Sequence, residues 1–161
     1  MRFTLVDRIV GWELGKSLRA VKQLTLAEEY LADHFPTFPV MPGVLMLEAL
    51  VESSAWLWRL TSDFRHSVIV LREAKNVKYG TFMEPGKVLE LTVEMIKQDG
   101  AYAMFKGRGF VQGGGQTVNA QIQLAAYNIQ ERTPAGRGAD ERLIRHWRER
   151  FGWLSGELCR K

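Results

Sequence analysis

Cysteine is almost absent from this chain of 161 residues. The single one, Cys159, excludes an internal disulfide, which is typical of a protein from a reducing compartment. Long apolar runs are also missing, because none approaches the roughly 18 residues that a membrane-spanning helix needs. The first eight residues lack the apolar segment of a secretion signal. We therefore expect a cytoplasmic protein.

A strong excess of charge of one sign is absent from most of the chain. Residues 1–128 carry 14 Lys and Arg against 13 Asp and Glu, whereas residues 129–161 carry 8 against 5. The hydrophobic content of 46% and the charged content of 25% are ordinary for a soluble globular protein. No nucleic-acid-binding motif accompanies the basic tail. We predict a domain over residues 1–128 and a basic extension over residues 129–161.

Proline is scarce, and its distribution is uneven. Of the five prolines, Pro36, Pro39 and Pro42 lie within seven residues of one another. Because proline fixes φ and disfavours helix in the residue before it, His34 should lie in a rigid, non-helical loop. Pro42 suits the first turn of a helix, whose apolar sequence is interrupted by Glu48. A carboxylate in such a run is costly to bury unless it has a use.

The pattern beyond this loop predicts one long helix and then several strands. Residues 44–60 are apolar on nearly every side, which is typical of a central helix. Strand-like stretches follow it, with turn signals at Asp99-Gly100 and at residues 113–115. The four predicted strands are His66–Tyr79, Val88–Lys97, Tyr102–Gln112 and Thr117–Asn128.

Two further strands are predicted upstream, at Phe3–Val10 and Ser17–Leu24. Thr25 and Glu28 form a capping-box pattern, which predicts a short helix ending near His34. A long central helix wrapped by a curved antiparallel sheet of five or six strands is the hotdog arrangement, an α+β fold.

The tail has a pattern of its own. Residues 132–138 are typical of a flexible linker, and Asp140 can cap a following helix. That helix is amphipathic, with one face formed by Leu143, Ile144, Trp147 and Phe151. We interpret it as a docking helix that covers the domain or a partner subunit. A basic helix lying on a membrane surface is the alternative.

The loop and helix resemble the 3-hydroxyacyl-acyl carrier protein dehydratases of fatty acid synthesis (FabZ/FabA type). The matching residues are His34-Phe35-Pro36, Pro39, Pro42-Gly43 and Glu48. Further matches occur at residues 5–8, at residues 18–22, and at Pro85-Gly86 after Phe82. The resemblance covers approximately residues 3–128, and a glutamate at position 48 favours the FabZ branch.

The resemblance implies a function and an assembly. The family dehydrates a 3-hydroxyacyl thioester, carried on the phosphopantetheine of acyl carrier protein, to a trans-2-enoyl thioester. It implies a homodimer whose active sites each combine a histidine of one chain with the acid of the other. Whether the dimers assemble further, into a hexamer of dimers, stays an open question. No metal or bound cofactor is expected.

Elimination of water needs a base, an acid and a donor to the thioester oxygen. We expect His34 to be the base that takes the C2 proton and Glu48, in an apolar site, to be the acid. The resemblance assigns the backbone N–H of Gly43, at a helix N-terminus, to the carbonyl oxygen. The predicted lining of an acyl tunnel is Leu47, Val51, Phe82 and Met83, although core packing would explain these four residues equally well.

Two positions depart from the family pattern. Asp33 stands where glycine is frequent, and Glu52 stands where glutamine is common. Glu52 lies four residues from Glu48, so an ionised Glu52 should raise the pKa of Glu48. Pairing of Glu52 with an arginine, such as Arg59 or Arg72, is the alternative.

Two other functions stay open at this point. A hotdog acyl thioesterase would use the helix carboxylate to direct water, but hydrolysis has no need of a C2 base. A non-catalytic hotdog subunit that binds acyl carrier protein would not need an intact His34 and Glu48.

Overall fold

Six antiparallel strands form one sheet that curves around a single long helix. The computed structural model describes residues 4–157, so Phe3 and Cys159 lie outside the described residues. The strands are β1 (Arg8–Glu13), β2 (Ser17–Gln23), β3 (Val68–Tyr79), β4 (Val88–Asp99), β5 (Tyr102–Val111) and β6 (Gln116–Tyr127). The helices are α1 (Gly43–Thr61) and α2 (Arg137–Ser155), with short 3-10 turns at Glu29–Ala32, Ile129–Glu131 and Pro134–Gly136.

The order of the strands in the sheet is β1-β2-β4-β5-β6-β3, and every neighbouring pair is antiparallel. Alternation of side chains explains the buried face, because Ala103, Phe105 and Val111 of β5 point inward while Tyr102 and Met104 are exposed. The sheet therefore has one apolar face, which α1 covers.

Helix α1 lies against the sheet because glycine leaves room for it. A Cβ atom on Gly107 would lie 3.1–3.3 Å from the side chain of Leu50. Leu50, Leu57 and Trp58 are fully buried on this helix. The helix is thus the centre of the core, and the predicted hotdog fold is confirmed.

The second helix covers part of the edge at β1. Phe151 makes edge-to-face contact with Trp12 at a ring-centroid distance of 5.2 Å and also lies beside Trp56 and Phe64. The predicted apolar face of the tail therefore docks on this chain's own domain. Within residues 4–157, no helix is long and apolar enough to cross a membrane.

Asp140 anchors α2 and does not cap it, so that prediction is wrong. The helix begins at Arg137, and the buried Asp140 carboxylate accepts hydrogen bonds from the backbone N–H groups of Ile129 (2.8 Å) and Gln130 (3.0 Å). The hydroxyl of Ser67 donates to the same carboxylate. Burial raises the pKa of Asp140, but these three hydrogen bonds outweigh it and lower the pKa overall.

Three other predicted elements differ from the structure. The first strand begins at Arg8 and not at Phe3, because Leu5 is buried with its N–H donating to Glu52 Oε2 (3.1 Å). The capping box at Thr25 is absent, and only a four-residue 3-10 turn starting at Glu29 forms there. The predicted flexible linker contains the 3-10 turn Pro134–Gly136, in which Gly136 is buried against the backbone of Gln130.

Candidate active site

The loop around His34 is fixed by backbone hydrogen bonds. The N–H and carbonyl groups of Phe35 and Phe38 bond to each other at 3.2 and 3.0 Å, and the Val40 N–H donates to His34 O at 3.0 Å. The Met41 N–H donates to Met83 O at 2.9 Å, which ties the loop to the segment before β4. The peptide bond between His34 and Phe35 is cis. The histidine is therefore held by the surrounding backbone, as the prolines predict.

The hydrogen bond of the His34 ring defines its tautomer. Nδ1 lies 3.0 Å from the carbonyl oxygen of Val40. A carbonyl oxygen can only accept, so Nδ1 carries the proton and donates it. Nε2 is then the basic nitrogen of the neutral ring. This arrangement is what a general base needs.

Gly43 is the first residue of α1. The N–H groups of Leu45 and Met46 bond to the carbonyl of Pro42 at 3.0 and 3.2 Å. The N–H groups of Gly43 and Val44 therefore precede the first hydrogen bonds of the helix, at its positive end. A Cβ atom on Gly43 would lie 3.0 Å from the Tyr79 ring. This position thus combines a backbone donor with a close approach to the Tyr79 ring that leaves little room for a side chain.

Glu48 is half-buried on α1, and burial raises the pKa of its carboxyl group. Glu52, one turn further, is more strongly affected. Burial raises the pKa of Glu52 to about 7, with the charge of Glu48 adding to the rise. The N–H of Leu5 and the charges of Arg150 and Arg59 oppose it. The predicted effect of Glu52 on Glu48 stays a prediction, because burial alone accounts for the raised pKa of Glu48.

A cleft of about 570 Å³ opens beside these two carboxyl groups. The lining comes from the N-terminal segment, α1, β3 and α2: Thr4, Glu48, Val51, Glu52, Ala55, Trp56, Arg59, Ile69, Leu143, His146, Trp147 and Arg150. Of the predicted site residues, the cleft thus brings together Glu48, Val51 and Glu52.

The other predicted residues lie away from this cleft. His34 and Gly43 are outside its lining, and so are the other three tunnel candidates. Leu47 packs on the core and Met83 is buried within it, whereas Phe82 is exposed and makes an edge contact with Phe38 at 5.7 Å. Their role in a tunnel stays a prediction. Within residues 4–157 no cluster of His, Cys, Asp and Glu could hold a metal ion.

The sequence indicates Arg59 only as a possible partner of Glu52 and does not predict the far end of the cleft. Arg59 lies there, only 6% exposed, with its guanidinium carbon 4.0 Å from the ring centroid of Trp147 and 5.3 Å from that of Trp56. The available signal was a third charged residue, seven positions after Glu52, in a largely apolar helix. The tail contributes Trp147 to this end of the cleft.

Comparison with known proteins gives the family. The FabA-like domain matches residues 1–121. The chain is 36% identical over 134 residues to a 3-hydroxyacyl-[acyl-carrier-protein] dehydratase FabZ of Janthinobacterium sp. (strain Marseille), covering 81% of this chain and 85% of that relative. It is 41% identical over 130 residues to a protein of the same name from Albidiferax ferrireducens, covering 79% and 86%.

Solved structures agree on the fold. The dehydratase heterocomplex ApeI:P from Xenorhabdus doucetiae has a TM-score of 0.64 at 15% identity, over 78% of this chain and 84% of that one. A mutant thioesterase, PA1618 of Pseudomonas aeruginosa, has a TM-score of 0.60 at 14% identity, over 74% and 80%. Such distant neighbours report the fold alone. On the sequence matches, the protein belongs to the FabA-like family of 3-hydroxyacyl-[acyl-carrier-protein] dehydratases.

Proposed function

We propose that the protein dehydrates a 3-hydroxyacyl thioester on acyl carrier protein to the trans-2-enoyl thioester, in fatty acid or related lipid biosynthesis. The observation that carries the proposal is the hydrogen bond between His34 Nδ1 and Val40 O. It leaves Nε2 basic on a rigid loop, and a base for the C2 proton is what elimination requires and hydrolysis does not. The names of the relatives support the same substrate class.

The residues divide the reaction among them. His34 Nε2 takes the proton from C2, and the electrons of that bond form the C2–C3 double bond. The N–H of Gly43 donates to the thioester oxygen, where negative charge develops at the positive end of α1. Protonated Glu48 gives its proton to the C3 hydroxyl, which leaves as water. Burial favours the protonated form of Glu48, as this step needs.

The proposal includes a homodimer with shared active sites. His34 does not line the cleft that contains Glu48, which fits a site completed by His34 of one protomer and Glu48 of the other. Strand β3 is an edge of the sheet and exposes Val70 and Leu71, and Tyr79 at its end is 50% exposed. An uncovered apolar edge strand is suited to pairing with another copy. Light scattering on the full chain would test the dimer and any hexamer of dimers.

The proposal also includes a carrier protein as partner, no metal or bound cofactor, and a cytoplasmic location. Lys75, Lys78 and Lys87 are exposed and are candidates to attract an acidic carrier. Two of the three have carboxylate partners of their own, because Lys75 pairs with Glu73 at 3.0 Å and Lys87 pairs with Glu84. Lys78→Ala should therefore slow association with the carrier protein most clearly.

One assay separates the candidate functions. The protein is incubated with a 3-hydroxyacyl carrier protein while enoyl absorbance and free thiol are followed together. Enoyl product without thiol supports dehydration. Thiol release supports a thioesterase, and neither signal at high protein concentration supports a binding subunit.

Variants identify the groups responsible. His34→Ala and Glu48→Gln should each abolish enoyl formation. Glu90→Gln is the matched control for the second variant, because Glu90 is an exposed carboxylate on β4. Full activity in His34→Ala would contradict the proposed mechanism.

A further inference from the structure

The cleft beside Glu48 extends along α1 to Arg59. These residues are eleven positions apart on the helix, which corresponds to about 16 Å along its axis. Glu48, Glu52 and Arg59 all line the same cleft. Glu48, the proposed acid, therefore lies about 16 Å along the helix axis from the buried guanidinium of Arg59.

The surroundings of Arg59 leave its hydrogen-bonding capacity in part unused. The residue is 6% exposed, and its Nε meets no acceptor among residues 4–157. The guanidinium is held against the faces of Trp147 and Trp56. Ring faces attract a cation but do not accept hydrogen bonds as oxygen atoms do. Buried polar groups in proteins normally have partners, so this exception needs an explanation.

The carboxyl group of Glu52 does not fully compensate the positive charge of Arg59. Burial lowers the pKa of Arg59 to about 10, which leaves it charged near pH 7. Glu52 acts on it electrostatically, but burial raises the pKa of Glu52 to about 7, so protonation of Glu52 near neutral pH weakens this compensation. Arg150, which also lines the cleft, adds positive charge. This part of the cleft therefore suits a group that supplies oxygen acceptors.

The wall opposite Arg59 belongs to the tail. Leu143, His146, Trp147 and Arg150 of α2 line the cleft, and all four lie beyond residues 1–121, which match the FabA-like domain. The indole N–H of Trp147 donates to Ser67 O at 3.1 Å, and this hydrogen bond fixes the ring that covers Arg59. The extension thus shapes a part of the cleft that the matched domain alone does not provide.

We propose that this cleft holds the acyl chain of the substrate and selects chains whose far end carries an oxygen acceptor, with Arg59 as the specificity-determining residue. The acceptor is a carboxylate, or a neutral group such as an ester carbonyl. This inference rests on the proposed dehydratase function. Two indole rings flank the chain end, and the guanidinium of Arg59 donates to its oxygen atoms.

The test compares three 3-hydroxyacyl pantetheine thioesters of matched chain length, ending in a methyl group, a methyl ester or a carboxylate. Each is offered at several lengths, and kcat/KM for enoyl formation is measured. The best oxygen-terminated chain should exceed its methyl-terminated counterpart at least about tenfold, as expected for charge-assisted hydrogen bonds in a buried site. Preference for either oxygen-terminated chain supports the proposal. Equal kcat/KM values at every length overturn it.

Variants then assign the preference to Arg59. Arg59→Met should remove it, so that the ratio of kcat/KM between the oxygen-terminated and methyl-terminated chains falls to about one, whereas Arg59→Lys should weaken it because an ammonium lacks the planar fork. Arg148→Met is the matched control, since Arg148 is on the same helix as Trp147 but bonds to Asp63 outside the cleft. An unchanged preference in Arg59→Lys and Arg59→Met overturns the proposal.

Binding provides a readout that does not depend on turnover. In His34→Ala, the dissociation constants of the methyl-terminated, methyl-ester-terminated and carboxylate-terminated thioesters are compared by calorimetry. Tighter binding of either oxygen-terminated chain supports the proposal, and equal binding of all three chains overturns it. If no thioester is dehydrated by the unmodified protein, the proposed function fails, whereas dehydration without preference for the chain end defeats the inference about Arg59 alone.

Discussion

The buried carboxyl group of Glu52 should make the folded protein less stable as the pH rises from 5 to 8, and Glu52→Gln should remove this loss. Burial raises the pKa of Glu52 from its ordinary value of 4.5 to about 7. Between these values the folded protein keeps a proton that the unfolded chain releases. The stabilising contribution is therefore complete below pH 4.5 and is lost as the pH rises through 7.

The magnitude follows from the difference between the two pKa values. Each unit of pKa corresponds to about 1.4 kcal/mol, so the rise makes about 3 kcal/mol of pH-dependent free energy of unfolding. This is a large fraction of the roughly 5–15 kcal/mol that holds a typical domain together. Glutamine is uncharged at every pH and offers a side-chain oxygen to the Leu5 N–H, so it reproduces the protonated glutamate.

Urea unfolding, followed by tryptophan fluorescence at one fixed protein concentration, measures this free energy at pH 5 and pH 8. The stability of Glu52→Gln relative to the unmodified protein should increase by about 2–3 kcal/mol between the two pH values, because the rest of the difference develops below pH 5. Glu90→Gln, which changes an exposed carboxylate, should show no such increase. Equal differences at both pH values would show that the carboxyl group of Glu52 has an ordinary pKa, and the reasoning would be refuted.

Three further predictions concern catalysis and the tail. If an ionised Glu52 raises the pKa of Glu48, the alkaline limb of the pH–rate profile should move to lower pH in Glu52→Gln; an unchanged profile would show that burial of Glu48 alone raises its pKa. Asp140→Asn should loosen α2, because an amide cannot accept hydrogen bonds from all three donors, and hydrogen exchange in residues 137–155 should speed up; unaltered exchange would count against the anchor. Because the pKa of Asp140 is lowered, the hydrogen bonds that anchor α2 should weaken in the unmodified protein only when strong acid protonates this carboxylate. Asp140→Asn should lack this pH dependence. Gly43→Ala should lower kcat because its Cβ would press on the Tyr79 ring at 3.0 Å, whereas Gly107→Ala, which presses on Leu50, should lower the melting temperature instead; a fully active Gly43→Ala would argue against the oxyanion role.

The parts of the fold that sequence predicts well are those governed by local pattern. Strand β2 and helix α1 end within one residue of their predicted limits, and the turn at Asp99-Gly100 joins β4 to β5 as expected. The predicted start of the first strand is wrong because Leu5 is buried without being in the sheet. The sequence pattern does not distinguish a buried strand residue from a residue that is buried outside the sheet. The predicted role of Asp140 as a helix cap is wrong for a related reason, because its hydrogen-bond partner Ser67 is 73 residues away in the sequence.

The candidate site divides in the same way. The histidine loop and the start of α1 follow from residues within a short stretch, so His34, Gly43 and Glu48 could be named from the sequence. Arg59 could be named only as a possible partner of Glu52, because what distinguishes it is the stacking of Trp147 from the tail. Its charge in a largely apolar helix is a local signal, but the sequence around it does not show the distant helix on which its importance depends.

The packing of α2 has a consequence for where the folded unit ends. Phe151 and Trp147 shield Trp56, and Phe151 also contacts Trp12 and Phe64. A chain shortened to residue 121 or 128 would lose Phe151 and Trp147 and leave Trp12, Trp56 and Phe64 facing water. Newly exposed apolar surface promotes aggregation. The shortest soluble form of this protein should therefore include the tail, although the matched family domain stops before it.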